Sequence, residues 1–195
     1  ARTVQIELPP FTLIAATTRI GLLSGPLRSR FGGTFRLDFY TQGEIEQIIA
    51  RSTKLLGVEA EDTALKRIAY SSRKTPRVAN RLLKRTRDYA EVLGDGKVTD
   101  DIAKKTLELL EIDEQGLEPM DRKILEIIIK GFQGGPVGLQ AIAAASSEEE
   151  DTIEEVYEPY LMRLGLIERT PRGRVATEAA YRHIGVSLAS QKTLL

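Results

Sequence analysis

The side chains best placed to do chemistry are mostly arginines, and they cluster in four places. The first cluster closes an apolar run at residues 11–16 and reads Ala16-Thr17-Thr18-Arg19. In open parallel sheets ligands collect at the carboxyl ends of strands, where Thr18 could orient a water or touch a phosphate. The plainer reading is a strand that ends in a polar loop. The second cluster is Pro26-Leu27-Arg28-Ser29-Arg30-Phe31-Gly32, two arginines in a Gly/Pro-rich loop. A guanidinium pairs with phosphate oxygens bidentately, and a loop can deliver one into a neighbouring site. A solvated surface loop would carry the same residues.

The third cluster spans residues 66–87, which hold nine basic side chains and no acidic one. A run of like charge is usually a solvated face. Thr75-Pro76-Arg77, however, sets Arg77 in the first turn of a helix, and a helix N-terminus with an arginine suits phosphate. The fourth is a C-terminal hairpin with Arg169, Arg172 and Arg174 around a tight Pro-Arg-Gly turn. Such a turn suits sequence-independent contact with a nucleic-acid backbone. The helix before it carries Glu148, Glu149, Glu150, Asp151, Glu154, Glu155 and Glu158, which argues against major-groove reading by that helix. His183 has no companions for a metal site, and Glu118 and Asp121 have no evident acid–base partner in the sequence.

Other chemistry is excluded by composition. The 195 residues include no cysteine and one histidine, so thiol nucleophiles, disulfides and thiolate or histidine-cluster metal sites are out. No segment reads G-x-x-x-x-G-K-[ST], so this stretch has no P-loop. Lys and Arg number 28 and Asp and Glu 28, so any anion-binding surface must be local. No apolar run approaches the roughly 18 residues that span a bilayer, and no signal peptide opens the chain, which points to a cytoplasmic protein without membrane contact.

The elements that would hold these residues follow from the hydrophobic pattern. Residues 11–16 read as a buried strand, and 34–39, where Phe35, Leu37 and Phe39 alternate with polar residues, as a second. Two such strands need a larger sheet, so the chain reads as a fragment whose sheet is completed elsewhere. From residue 44 the spacing turns helical: Ile45, Ile48 and Ile49, then 63–70, 76–93 with Gly94 as a stop, and 100–110 capped by Thr99. Residues 116–119 mark a boundary. Beyond it come helices at 121–131 and 139–145. A third begins after a cap at Ser146 or Ser147 and runs to about Leu164, with Pro159 able to kink or split it. A hairpin over 166–169 and 174–177 completes a winged helix-turn-helix.

Together, LPPFTLIAATTRIGLLSGPLRSRFG, FRLDFY, KTPRVANRLLKRTRDYAEV, GLEPMDRKILEIIIKGFQGGPVGLQAIA, YEPYLMRLGLIERTPRGRVAT and AYRHIG resemble the RuvB family. These are bacterial AAA+ motors that drive Holliday-junction branch migration. The resemblance runs from Ile6 to Val186 in the family's order and spacing. It departs at Ala15-Ala16, where the family usually has Gly-Ala.

The resemblance implies a mainly α chain of three pieces: a C-terminal remnant of the AAA+ α/β subdomain (1–42), a helical AAA+ lid bundle (43–115) and a winged-helix DNA-binding domain (116–188), with a tail at 189–195. The Walker A and Walker B half would precede Ala1. Thr18 matches sensor 1. Arg30 matches the arginine finger offered to an adjacent subunit, with Arg28 of the same loop as the alternative. Tyr40 matches the residue beside the nucleotide base and Arg77 matches sensor 2. Arg169 and Arg174 match wing positions that contact DNA. The implied cofactors are ATP or ADP with Mg²⁺ in the complete protein, with none bound tightly by this chain alone. The implied partners are Holliday-junction and duplex DNA, RuvA, RuvC and further copies in a hexamer, serving recombination and SOS-linked repair. A stand-alone DNA- or partner-binding module without ATPase activity is the alternative.

Overall fold

The computed structural model describes residues 9–187. Residues 9–38 form one unit and the chain from Phe39 onward another. The first unit holds a single 3₁₀ turn, Ile20–Leu22, and a one-turn helix α1, Gly25–Arg28, started by Pro26. Neither expected strand forms among the described residues: 11–16 and 34–39 belong to no helix or strand, and Phe11, Ile14, Phe35 and Leu37 are exposed. A strand exists only when its backbone groups pair with a neighbour, and among the described residues neither segment meets one.

The second unit begins with four helices around one core. In α2, Gln42–Leu56, Thr41 and Glu44 cap each other reciprocally: the Thr41 amide donates to Glu44 Oε2 at 2.7 Å and the Glu44 amide to Thr41 Oγ1 at 3.3 Å. Gly57, in the left-handed region, ends it. Next come α3, Asp62–Tyr70, α4, Pro76–Leu93, and α5, Asp100–Leu109. As the sequence predicts, Thr99 caps α5 by accepting the Ile102 amide. Ile45, Ile49, Ile68, Leu82 and Leu83 are fully buried where these helices meet, which is the helical spacing expected from the sequence.

A separate core gathers Leu117, Ile124, Leu125, Ile142, Ile153 and Leu161. Helix α6, Pro119–Glu126, widens into a π turn at Ile127–Gly131 and is followed by α7, Leu139–Ser146. Neither serine caps the third helix: Ser147 is the left-handed residue that ends α7, and buried Ser146 bonds back to Ala143 O. The third helix starts instead after Glu149, as α8, Glu150–Thr152, passes through a π turn at Ile153–Tyr157, and continues as α9, Glu158–Arg163. The wide turn sits just before Pro159, whose missing N–H and ring would clash with regular α geometry there.

Strands β1, Ile167–Thr170, and β2, Gly173–Ala176, pair antiparallel, with Arg169 opposite Arg174. Thr177 then caps α10, Glu178–Ile184. Val137, in the loop before α7, exchanges backbone hydrogen bonds with Arg174 at 2.9 and 2.8 Å, adding a third, single-bridge edge to the wing. That contact leaves no room at Gly173, which has φ +134 and whose added Cβ would strike the Val137 backbone. Gly173→Ala is expected to destabilise this domain by about 1–3 kcal/mol. A thermal midpoint equal to that of the parent would contradict the Val137 bridge.

Candidate functional site

In the first unit Thr18 and the loop arginines are exposed. Thr17, rather than Thr18, is used locally: its Oγ1 accepts the Arg19 amide at 3.0 Å. Arg28 ends α1, and Arg30 follows two residues later in a turn fixed by Arg30 N–H to Leu27 O and Phe31 N–H to Arg28 O. A short, hydrogen-bonded knuckle thus carries both guanidiniums to the surface.

In the second unit Tyr40 stands just before the Thr41 cap of α2, with its ring partly open to solvent. Arg77 is the second residue of α4 and is exposed. Thr75, at the N-cap, turns its hydroxyl to Arg73 O at 3.1 Å, so no side chain caps the first-turn amides of α4. An exposed guanidinium beside uncapped amides and a positive helix end suits phosphate charge.

The basic stretch is acid-free only in sequence. Arg67 makes a bidentate pair with Asp100 at 2.7 and 2.8 Å, and that hydrogen-bonded pairing holds the Asp100 carboxyl below the ordinary range. Arg81 reaches Glu118 at 2.7 Å, Arg85 and Arg87 reach Asp88, and Arg73 reaches Asp121 at 2.7 Å. Glu118 and Asp121 are thus taken up in ion pairs with arginines. Arg77 stands exposed between Arg73 and Arg81, whose guanidiniums are each paired with an acid.

The wing is organised by an acid that sequence reasoning counted only as negative charge. Glu158, with its side chain 2% exposed, accepts from Arg169 Nε at 2.8 Å and from the Arg174 guanidinium at 3.0 Å. Burial works to raise its carboxyl, but the hydrogen bonds and charge of the two arginines prevail and hold it below the ordinary value. Arg169 also reaches Glu154 at 3.1 Å and remains 47% exposed, whereas Arg174 is 13% exposed. Arg172, at the hairpin tip, is exposed. A sequence signal did exist: two like charges directly opposite in a hairpin are unfavourable unless an acid lies beneath them.

His183 also has a partner. Its Nε2 lies 2.8 Å from Asp113 Oδ2, while Asp113 Oδ1 accepts the amides of Gln115 and Leu117. Among the described residues no three metal-ligating side chains converge. No described helix is long and apolar enough to cross a membrane.

Three sequence models match consecutive parts of the chain: the Holliday junction DNA helicase RuvB P-loop domain over 1–37, the RuvB AAA lid domain over 40–113 and the RuvB C-terminal winged helix domain over 114–185. The Holliday junction branch migration complex subunit RuvB of Dehalococcoides mccartyi is 57% identical over 192 residues, covering 98% of this chain and 55% of that protein. The Thermotoga maritima RuvB Holliday junction branch migration motor superposes with a TM-score of 0.85 at 54% identity, over 92% of this chain and 60% of that one. A Lys-to-Arg mutant of the same protein gives a TM-score of 0.87 at 53% identity, over 95% and 62%. The chain thus spans little more than half the length of the relatives it matches.

Proposed function

This chain belongs to the RuvB Holliday junction helicase family, and from that premise we propose that it is the sensing and DNA-engaging part of an ATP-driven branch-migration motor. Thr18 acts as sensor 1 and Arg30 as the finger presented to the next subunit of a hexamer. Tyr40 packs beside the base and Arg77 is sensor 2. The nucleotide with its Mg²⁺ supplies the phosphoryl chemistry when bound. The contribution of these residues is charge and shape: an uncapped helix start with Arg77 for phosphate, and an open phenol ring for the base. Without a P-loop of its own, the chain alone is not expected to hydrolyse ATP. Cytoplasmic location and partnership with RuvA and RuvC follow from the same reading.

The observation that carries the DNA part is the wing: a hairpin with Arg172 at its exposed tip and Arg169 half-exposed beside it, braced from below by Arg174 on Glu158. In this arrangement Arg172 and Arg169 meet the phosphates, and Arg174 sets their angle. Because the contacts are to the backbone, binding is independent of sequence and steeply salt-sensitive. In a salt titration of this chain on four-way and linear duplex DNA, Arg172→Ala and Arg169→Ala should each weaken affinity uniformly and flatten the log–log salt slope by about 1. Affinity that ignores salt, or slopes unchanged in both variants, would remove the wing from the DNA and leave a protein-binding module.

A further inference from the structure

The peptide joining the four-helix bundle to the winged helix is fastened throughout. Asp113 takes the amides of Gln115 and Leu117, Arg122 donates to Leu117 O at 2.8 Å and to Glu111 O at 2.7 Å, and His183 closes on Asp113. Gly116 has φ +76, and a Cβ there would lie 2.7 Å from Ser71 O and 3.2 Å from Tyr160 Oη. The two domains therefore touch closely across this glycine.

Beside it stands a buried ion pair. Asp121, whose side chain is 0% exposed, holds Arg73, 12% exposed, at 2.7 Å, and also accepts the Glu118 amide at 2.8 Å. The Arg73 guanidinium lies over the Tyr160 ring, 4.3 Å from its centre, and the Tyr160 hydroxyl donates to Gln115 O. Burial pushes the Tyr160 phenol up to about 12, so it stays a neutral donor throughout the physiological range. Three residues along the same helix, the Arg163 guanidinium lies 3.2 Å from the centre of the Phe39 ring. Residues three apart share one helix face, so α9 applies Tyr160 and Arg163 together. Their partners occupy telling positions. Arg73 is four residues before Arg77, in the loop that starts α4, and Phe39 is the immediate neighbour of Tyr40.

We propose that this face of α9 is a coupling clamp that grips the segments bearing Tyr40 and Arg77, so that lid and winged helix turn as one lever. Arg73, Asp121, Tyr160 and Arg163 are positioning residues, and the clamp's role in transmission rests on the reading of Tyr40 and Arg77 given above. A stacked, desolvated cation and a buried pair hold orientation as well as distance, because moving either domain would strand Asp121 without its counter-charge.

The test has two readouts. The chain has no native cysteine, so Lys84→Cys and Gln140→Cys accept spin labels, one on each domain. The parent should give one narrow label–label distance distribution. Arg73→Met combined with Asp121→Asn, which removes both charges at once, should at least double its width, as should Tyr160→Leu with Arg163→Gln if the first pair fails to fold. A parent distribution already broad, or a folded variant as narrow as the parent, overturns the clamp. In a complete subunit joining these residues to a RuvB P-loop half, the same variants should keep ATP turnover within about twofold while ATP consumed per base pair migrated rises tenfold or more. Unchanged coupling there overturns transmission. A parent subunit that neither hydrolyses ATP nor moves junctions refutes the functional reading, and the distance measurement still decides the clamp.

Discussion

In a complete subunit joining these residues to a RuvB P-loop half, alanine at Arg30 is expected to lower ATP turnover about 10³–10⁵-fold while the substituted subunit still binds nucleotide with unchanged affinity. The size of the effect follows from where a finger acts. Charge spreads over the transferred phosphoryl oxygens only near the transition state, so a guanidinium aimed there stabilises that state far more than the bound nucleotide. Position favours Arg30 over Arg28. Arg28 is the last residue of α1, whereas Arg30 lies beyond the helix in the fixed turn that ends at Phe31. Arg28→Ala should therefore cost far less. Mixing subunits gives a further check: an Arg30→Ala subunit should silence its neighbour's site and spare its own. Normal turnover when every complete subunit carries the alanine, or loss of nucleotide binding by the variant itself, would show that Arg30 is no finger.

What the sequence disclosed and what it hid divide along a physical line. Local signals were legible. The Thr99 cap, the Gly94 stop, the helical spacing of Ile45 and Ile49 and the Pro-Arg-Gly turn each act within a few residues, and each appears where expected. Signals that depend on a distant partner were not. Residues 11–16 and 34–39 have strand patterning, yet patterning cannot supply the neighbouring strand that makes a sheet. The acid-free run over 66–87 looked like a bare cationic face because Asp100, Glu118 and Asp121 reach it from later helices. His183 looked solitary because Asp113 lies 70 positions away. At the wing the arginines were legible and the acid beneath them was not. Glu158 was read as one more charge on an acidic helix, although its carboxylate is buried beneath Arg169 and Arg174, which come from later strands.

That carboxylate is where a single substitution should cost the wing most stability. Glu158→Ala removes the shared acceptor of Arg169 and Arg174 and leaves Arg174, largely enclosed, with an unpaired charge. Breaking a buried pair in this way costs about 3–5 kcal/mol, comparable with the whole stability of a small domain. The hairpin also loses the acid that offsets two arginines placed opposite each other. The expected result is a winged helix that is mostly unfolded near 37 °C while the four-helix core, which contains neither Glu158 nor its partners, keeps its helical signal. Glu158→Gln should fall between the two, since it keeps the shape and some hydrogen bonding but not the charge. The pH dependence separates charge from packing. The Glu158 carboxyl titrates lower in the folded state than in the unfolded chain, so its contribution is complete above the unfolded value of about 4.3 and disappears as pH falls through the depressed folded value. The parent should therefore lose winged-helix stability below about pH 4 more steeply than Glu158→Gln, whose curve lacks that component. Parallel acid-unfolding curves for the two proteins would mean that Glu158 holds the wing by shape alone, and that the arginines above it are not set by its charge.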